Sequence, residues 1–312
     1  MLQTMKNLWH IAKKINIEQG RMLFNEPMAP HTTFRIGGPA DIFIRPRSTV
    51  ELGRVVAFLA AEGIPRFILG GGANILVGDK GIRGAVLDLS GLAGAQHSQK
   101  TIVAGAGLSV DRLCEEALSQ EFEGIENFYG MPGSLGGAIY MNARCYDKDF
   151  SDSIDSIAIV SPSGEVATVH PEPGQWAYKK SPFQPGGVWE GCIITGAQFN
   201  LVRGHAENIA GTMRSRKLDR MAKGHYRLPS AGSVFKNNRG FGRPTGAILD
   251  SLGLKGMRIG DAAVSTWHAN IFVNEGKATA ADMRALIEKS MGMTFSAFGF
   301  SLEPEVLFVG DF

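Results

Sequence analysis

Three polar side chains, Ser233, Lys236 and Asn237, stand close together within residues 229–238. They bring a hydroxyl, an ammonium and an amide to a segment that begins with small residues and contains a short apolar pair. Alternation at a period of two predicts a short strand, entered through a flexible bend, with Ser233 and Lys236 on opposite faces. A polar edge strand would show the same pattern, so the stretch alone does not define a function.

Two glycine-rich loops offer backbone N–H groups to a phosphate. Residues 70–74 read Gly-Gly-Gly-Ala-Asn and follow the strand-like RFIL, and residues 130–137 contain four further glycines. Consecutive N–H groups that no side chain shields can form a nest for a diphosphate, to which Asn74 and Ser134 would add side-chain hydrogen bonds. Either loop alone is explained by a tight turn at a domain junction. Together they favour a bulky cofactor that carries phosphate.

The common nucleotide and metal motifs are missing. GGGANI (70–75) and GAGLSV (105–110) both lack the third glycine of the dinucleotide-binding fingerprint, and no P-loop pattern occurs. Neither a G-x-S-x-G elbow nor an HExxH pair is found, and the seven histidines form no cluster at ligand spacing. We therefore expect no Rossmann domain and no metal site.

Composition narrows the class of protein further. The net charge is only +2, without a long basic run, which disfavours nucleic acid as a partner. Three widely spaced cysteines without a CxxC pair indicate a reducing compartment, and no apolar run is long enough to cross a bilayer. We expect a cytoplasmic monomer without membrane insertion.

Hydrophobic periodicity and capping signals predict an α+β protein of several domains. Capping boxes predict helices after Ser48 and Thr279, a further helix begins at Ser109, and residues 205–221 are helical by composition. Residues 156–169 predict a hairpin, and residues 301–310 predict a final strand. The expected division is an N-terminal helical appendage (1–24), two subdomains (25–95 and 96–204) and a C-terminal domain (205–312).

Eight motifs, in order and at characteristic spacing, give the chain a close resemblance to the UDP-N-acetylenolpyruvoylglucosamine reductase (MurB) family. They are TTFRIGGPAD (32–41), LGGGANILV (69–77), MPGSLGGAIYMNA (131–143), AYKKSPF (177–183), SAGSVFKN (230–237), GLKGMRIGDAAVS (253–265), HANIFVN (268–274) and LEPEV (302–306). The segment between AYKKSPF and the helix at residue 205 is short and leaves little room for the extra tyrosine-bearing loop of one branch of the family. In this respect the chain resembles the shorter, type II branch.

The resemblance implies a two-part FAD-binding region of the vanillyl-alcohol-oxidase (PCMH) type and a C-terminal α/β substrate-binding domain. It also implies that NADPH reduces FAD. The reduced flavin would then pass hydride to the enolpyruvyl double bond of the UDP-sugar, giving UDP-N-acetylmuramate for peptidoglycan.

The family's functional residues are carried over onto matching positions. Ser233 matches the serine that protonates the carbon left electron-rich by hydride transfer, Glu305 matches the catalytic glutamate, and Lys179 stands where the family has an arginine that polarises the substrate carboxylate. Lys217, Asn237 and Tyr178 match substrate-binding positions, the first two at the UDP diphosphate. The residues expected to bind the cofactor are Gly70, Gly71, Gly72, Ala73, Asn74, Gly133, Ser134, Gly136, Gly137 and Arg214.

Departures from the family pattern leave alternatives open. Lys179 keeps the charge of the usual arginine but loses its planar, bidentate fork, so slower turnover is expected. Ala73 replaces a usual serine, and Arg144 is either a substitute guanidinium or a residue of a surface ion pair. A diverged flavoprotein acting on another enol or as an oxidase, and a sugar-nucleotide-binding protein without FAD, are the competing interpretations.

Overall fold

The structure is a computed structural model that describes residue 17, residues 20–98 and residues 100–312. The helix predicted within residues 1–24 falls largely outside these residues, and the first strand already begins at Arg21. The α-helices are α1 (Thr49–Ala61), α2 (Val110–Ser119), α3 (Leu135–Tyr140), α4 (Ala206–Ala222), α5 (Thr245–Ser251) and α6 (Ala280–Phe298). No helix in the described part of the chain is both long and apolar enough to span a membrane.

Short strands provide most of the remaining regular structure. In chain order they are β1 (Arg21–Pro27), β2 (Pro39–Arg45), β3 (Arg66–Leu69), β4 (Ile75–Val77), β5 (Ile82–Asp88), β6 (Ala95–His97), β7 (Thr101–Gly105), β8 (Phe122–Glu123), β9 (Arg144–Cys145), β10 (Lys148–Asp149), β11 (Ile154–Val160), β12 (Val166–Val169), β13 (Ile193–Asn200), β14 (Val202–Arg203), β15 (Ser230–Ser233), β16 (Arg258–Ile259), β17 (Ala262–Val264), β18 (Ile271–Asn274) and β19 (Leu307–Val309).

The chain forms two compact units, each assembled from separate segments. The first comprises Met1–Asn25, Ile42–Gly71 and Gly84–Lys217, and the second comprises Glu26–Asp41, Gly72–Arg83 and Leu218–Phe312. The finer division predicted at residues 95 and 204 stays a prediction.

The first unit contains most of a four-stranded sheet of order β1-β2-β5-β3 and an antiparallel sheet of order β12-β11-β13-β7-β6. Helix α1 begins where its sequence predicts, because the Ser48 hydroxyl accepts a hydrogen bond from the Glu51 N–H. Its apolar stripe, from Leu52 to Leu59, is buried in the core of this unit. The predicted hairpin forms as β11 and β12.

The second unit has an antiparallel sheet of order β15-β18-β17-β16, against which α6 packs, and a parallel pair, β4 with β19. At the start of α6 the Thr279 and Asp282 side chains each accept the other residue's backbone N–H, which confirms the predicted capping box. The core of this unit is formed by apolar residues such as Phe34, Phe235 and Phe272.

Two strand predictions were wrong in extent. The strand after Pro229 ends at Ser233, and the next two residues, Val234 and Phe235, are both fully buried instead of alternating. The cause is Asn270, whose side-chain amide binds both the N–H and the C=O of Phe235. The final strand is limited to β19 because the Glu305 and Val306 N–H groups both turn to one carbonyl, that of Val234.

Candidate active site

In the first unit, the end of one glycine loop packs on the other. The Ser134 hydroxyl lies between them and accepts hydrogen bonds from the Gly71 N–H at 3.1 Å and the Gly137 N–H at 3.4 Å. Ser134 is also the residue that caps α3, which is why a serine stands at this point of the loop. One hydroxyl thus joins both loops to the start of a helix.

The backbones here are too close for side chains. A Cβ built on Gly70 would lie 2.6 Å from the Ser134 Oγ, and one on Gly71 would lie 2.6 Å from the Gly133 Cα. A Cβ on Gly136 would lie 2.9 Å from that of Ala106. The result is a cradle of bare backbone, the arrangement in which oriented amides hold phosphate groups. These residues therefore fit the diphosphate of a dinucleotide cofactor.

In the second unit, the rest of the first loop supports the C-terminal tail. Gly72 adopts a φ of +62°, and a Cβ there would collide with the His31 carbonyl oxygen. The Asn74 side-chain amide donates to the Glu305 carbonyl at 2.9 Å, and the Asn74 carbonyl accepts from the Leu307 N–H at 3.0 Å. Asn74, predicted to face a phosphate, thus uses its amide nitrogen to fix the segment that carries Glu305. Ala73 beside it has no side-chain donor.

The two residues expected to do the central chemistry lie on adjacent segments of the second unit. Ser233 ends β15 opposite Ile271, and Gly232 before it has a φ of +71°. The Glu305 N–H donates to the carbonyl of Val234 at 2.7 Å. Both Ser233 and Glu305 are half-buried. The structure therefore brings a serine and a glutamate onto adjacent backbone segments of this unit.

The polar residues that follow Ser233 have structural partners. The Lys236 ammonium lies 2.5 Å from a carboxylate oxygen of Glu303, which is exposed. The Asn237 side-chain oxygen accepts from the Thr245 N–H at 2.9 Å and so caps the start of α5. Lys236 is thereby accounted for by an ion pair, while Asn237 holds its position beside a helix terminus.

Lys179 lies in a tight turn of the first unit. Its φ is +59°, a left-handed conformation that is unfavourable for a side-chain-bearing residue. Gln184 holds the turn by donating both to the Lys179 carbonyl and to the Tyr140 carbonyl at the end of α3. Tyr178 in the same turn is 43% exposed. Gln184 thus links the backbone of Lys179 to the end of α3, the helix that starts within the loop at 130–137.

Helix α4 carries two further residues of the first unit that were predicted to belong to the site, Arg214 at the cofactor and Lys217 at the substrate. Arg214 is exposed. The Lys217 ammonium lies 3.7 Å from a carboxylate oxygen of Asp111 and 4.8 Å from the centre of the Tyr129 ring. Lys217 therefore faces the segment just before the loop at 130–137.

Arg144 forms an ion pair on the surface of the first unit. Its guanidinium lies 2.7 Å from Asp149 and 3.1 Å from Asp147, across the turn between β9 and β10. These contacts favour the surface ion pair over a substitute for the family arginine.

The second unit also contains a histidine pair that the sequence did not single out. Burial lowers the pKa of His225 to about 4, with contributions from the nearby cations Arg220 and Lys223. Burial likewise lowers the pKa of His268, whose Nδ1 accepts a hydrogen bond from the Asn270 N–H. Both imidazoles are therefore neutral at pH 7. Only the position of His268 in a family motif pointed toward it.

The first unit holds Gly70, Gly71, Gly133, Ser134, Gly136, Gly137, Tyr178, Lys179, Arg214 and Lys217, and the second holds Gly72, Ala73, Asn74, Ser233, Asn237 and Glu305. Sequence reasoning missed the residues that fix these positions, among them Asp111, Gln184 and Asn270. Their partners are mainly backbone atoms distant in sequence, which leave no local signal.

Two family models match separate parts of the chain. A family model described as an FAD-binding domain matches residues 40–170, a range that includes the whole glycine cradle. This part of the chain is therefore an FAD-binding domain, which makes the chain a flavoprotein. A second model, the C-terminal domain of UDP-N-acetylenolpyruvoylglucosamine reductase, matches residues 224–309 and includes Ser233 and Glu305. These matches confirm the predicted fold class.

Full-length relatives define the family. The chain is 40% identical to the UDP-N-acetylenolpyruvoylglucosamine reductase of Treponema denticola, over 98% of this chain and 99% of the relative. It is 36% identical to that of Syntrophomonas wolfei, over 93% and 96%. The crystal structure of the MurB enzyme from Thermus caldophilus matches with a TM-score of 0.76 and 30% identity, covering 93% of this chain and 99% of that one. The chain belongs to the UDP-N-acetylenolpyruvoylglucosamine reductase (MurB) family.

Proposed function

We propose that this enzyme reduces UDP-N-acetylglucosamine enolpyruvate to UDP-N-acetylmuramate with NADPH as reductant. The main support is that Ser233 and Glu305 lie on adjacent segments of the second unit, joined by the hydrogen bond from the Glu305 N–H to the Val234 carbonyl, in a chain of this family. The reaction adds a hydride and a proton across a carbon–carbon double bond, while NADPH becomes NADP⁺. It therefore needs a cofactor that carries hydride and a side chain that delivers the proton.

The bare backbone around Ser134 is the proposed binding place for the FAD diphosphate. The glycines of residues 70–72, together with Gly133, Gly136 and Gly137, keep side chains away, and Arg214 would add a cation. FAD, when bound, accepts hydride from NADPH and passes it to the substrate. The loops provide binding and orientation, and the reaction at the substrate requires the residues of the second unit.

Ser233 is the proposed proton donor. A serine hydroxyl is a weak acid, so it can protonate only a strongly basic carbon centre such as the one that hydride addition leaves beside a carboxylate. The proton moves from the Ser233 oxygen to that carbon, and solvent returns a proton to the oxygen. The bend at Gly232 and the register of Ser233 opposite Ile271 fix the backbone that carries this hydroxyl.

Charge that develops on the substrate carboxylate needs a cation, which we assign to Lys179. Electrostatic stabilisation of such charge often lowers the activation barrier more than any other effect, and an ammonium provides it without the second hydrogen bond of an arginine. Tyr178, Asn237 and Lys217 are the proposed substrate-binding residues, with Asn237 and Lys217 at the diphosphate.

Two glutamates of the C-terminal tail allow a matched test. Glu305 is half-buried and held next to Ser233, whereas Glu303 is exposed and paired with Lys236. In a steady-state assay of UDP-N-acetylmuramate formation, Glu305→Gln should lower kcat at least a hundredfold, within the usual range for loss of a general acid or base. Glu303→Gln should stay within threefold of the parent. Equal effects of the two substitutions on kcat would contradict the proposal that Glu305 is the catalytic glutamate.

A further inference from the structure

The loop at residues 130–137 is tied to the start of α2 by a short series of hydrogen bonds. Three of them join backbone groups: Leu135 N–H to the Leu108 carbonyl, Gly136 N–H to the Ala106 carbonyl, and Val110 N–H to the Gly133 carbonyl, at 2.8–3.2 Å. These bonds hold the middle and the end of the loop.

The start of the loop is held by a side chain. One carboxylate oxygen of Asp111 accepts the Gly130 N–H at 2.5 Å, and Gly130 has a φ of +82°, which favours glycine. A hydrogen bond to a charged acceptor is stronger than one between neutral groups. Asp111 occupies the second position of α2, where the helix dipole favours a negative charge.

The other side of the Asp111 carboxylate faces α4. Its second oxygen lies 3.7 Å from the Lys217 ammonium, which also lies over the ring of Tyr129, the residue just before the loop. The preceding residue of α4, Arg216, donates to the Asn127 side chain at 3.0 Å. Two consecutive residues of α4 thus contact the segment that leads into the loop.

We propose that Asp111 is a positioning residue for the cofactor, which fixes the start of the loop at 130–137 while Lys217 holds the Asp111 carboxylate in place. This inference rests on the proposal that the loop binds FAD. It gives Lys217 a second role, within the first unit, in addition to the proposed contact with the substrate diphosphate. Asp111 acts through Gly130 and needs no contact with FAD itself.

The test is FAD titration of the flavin-stripped full-length chain, followed by flavin fluorescence, together with the thermal unfolding temperature of each stripped variant. Asp111→Ala should raise the FAD dissociation constant about tenfold, as expected for loss of one charge-assisted hydrogen bond. Asp111→Asn keeps an oxygen acceptor and should recover most of that affinity. Glu116→Gln is the matched control, since Glu116 lies on the same helix but pairs with Arg112.

Lys217→Met should raise the dissociation constant for FAD about threefold. High salt should make this difference between variant and parent smaller, because it screens the Asp111–Lys217 ion pair that only the parent has. If Lys217 acts through Asp111, the double variant with Asp111→Ala should be no weaker than Asp111→Ala alone. Additive effects would overturn this part of the proposal. Unchanged FAD affinity in Lys217→Met would overturn it too, and a higher KM for the UDP-sugar in that variant would then leave the diphosphate contact as the only role of Lys217.

Ser134→Ala separates failure of this inference from failure of the proposed cofactor site. If Ser134→Ala weakens FAD binding while Asp111→Ala behaves like Glu116→Gln, Asp111 is not a positioning residue, although the loop is the cradle. If neither variant changes FAD affinity, the loop does not bind FAD and both proposals fail. If Asp111→Asn lowers the unfolding temperature and the FAD affinity as much as Asp111→Ala does, the cause is general destabilisation. That result would also overturn the inference.

Discussion

Gly71→Ala is the sharpest available perturbation of the cofactor cradle. The new Cβ would lie 2.6 Å from the Gly133 Cα and 2.8 Å from the Ser134 backbone nitrogen, whereas ordinary contact begins at 3.4 Å. Because these atoms belong to the backbone, the two loops must separate by about 0.8 Å. That displacement would break the 3.1 Å hydrogen bond from Gly71 to Ser134, which contributes about 1 kcal/mol.

Loss of this bond together with the steric strain should cost about 2 kcal/mol of FAD binding, which is roughly a 30-fold rise in the dissociation constant. FAD titration of the flavin-stripped protein measures the change. Gly94→Ala is the matched control, since a Cβ there meets nothing within 4 Å and its φ is not in the left-handed region. FAD affinity that is the same for Gly71→Ala and Gly94→Ala would refute the proposed cradle.

Three further predictions concern other parts of the molecule. Lys179→Arg should raise kcat several-fold by restoring a bidentate contact with the substrate carboxylate, and an unchanged or lower kcat would count against that role. Arg144→Met should leave kcat within twofold, because its guanidinium is paired with Asp149; a large loss would revive it as a catalytic cation. The depressed pKa of His225, about 4 against 6.5 unfolded, means that the unfolded chain binds more protons in this range. Stability should therefore fall as the pH drops from about 6.5 to about 4, and His225→Gln should flatten that fall in urea-unfolding midpoints. An unaltered pH profile would exclude His225 as its source.

Features set by local interactions were predictable from the sequence. The hydroxyls of Ser48 and Thr279 bind N–H groups three residues away, so the starts of α1 and α6 follow from a short pattern. The family resemblance rested on motifs spread along the chain, and full-length relatives confirm it. The roles of individual site residues, the monomeric state and the cytoplasmic location remain predictions.

Features set by distant partners were not predictable. The Asn74 amide donates a hydrogen bond to the Glu305 carbonyl, 231 residues away, and no pattern near Asn74 indicates this partner. The break in alternation at Phe235 depends on Asn270, 35 residues downstream. Such contacts involve backbone atoms, whose partner cannot be inferred from residue type. The positions of these asparagines therefore emerge only from the folded chain.

We propose that this flavoenzyme reduces an enolpyruvyl sugar nucleotide with Ser233 as proton donor. This claim can be tested by stopped-flow absorbance, in which the FAD-loaded protein is reduced anaerobically with NADPH and then mixed with UDP-N-acetylglucosamine enolpyruvate. We expect rapid flavin reoxidation with formation of UDP-N-acetylmuramate, and in Ser233→Ala a product-forming rate lower by about 10²–10⁴-fold with NADPH reduction unchanged. A reduced flavin that ignores this substrate and reacts only with oxygen would contradict the claim and favour a diverged oxidase.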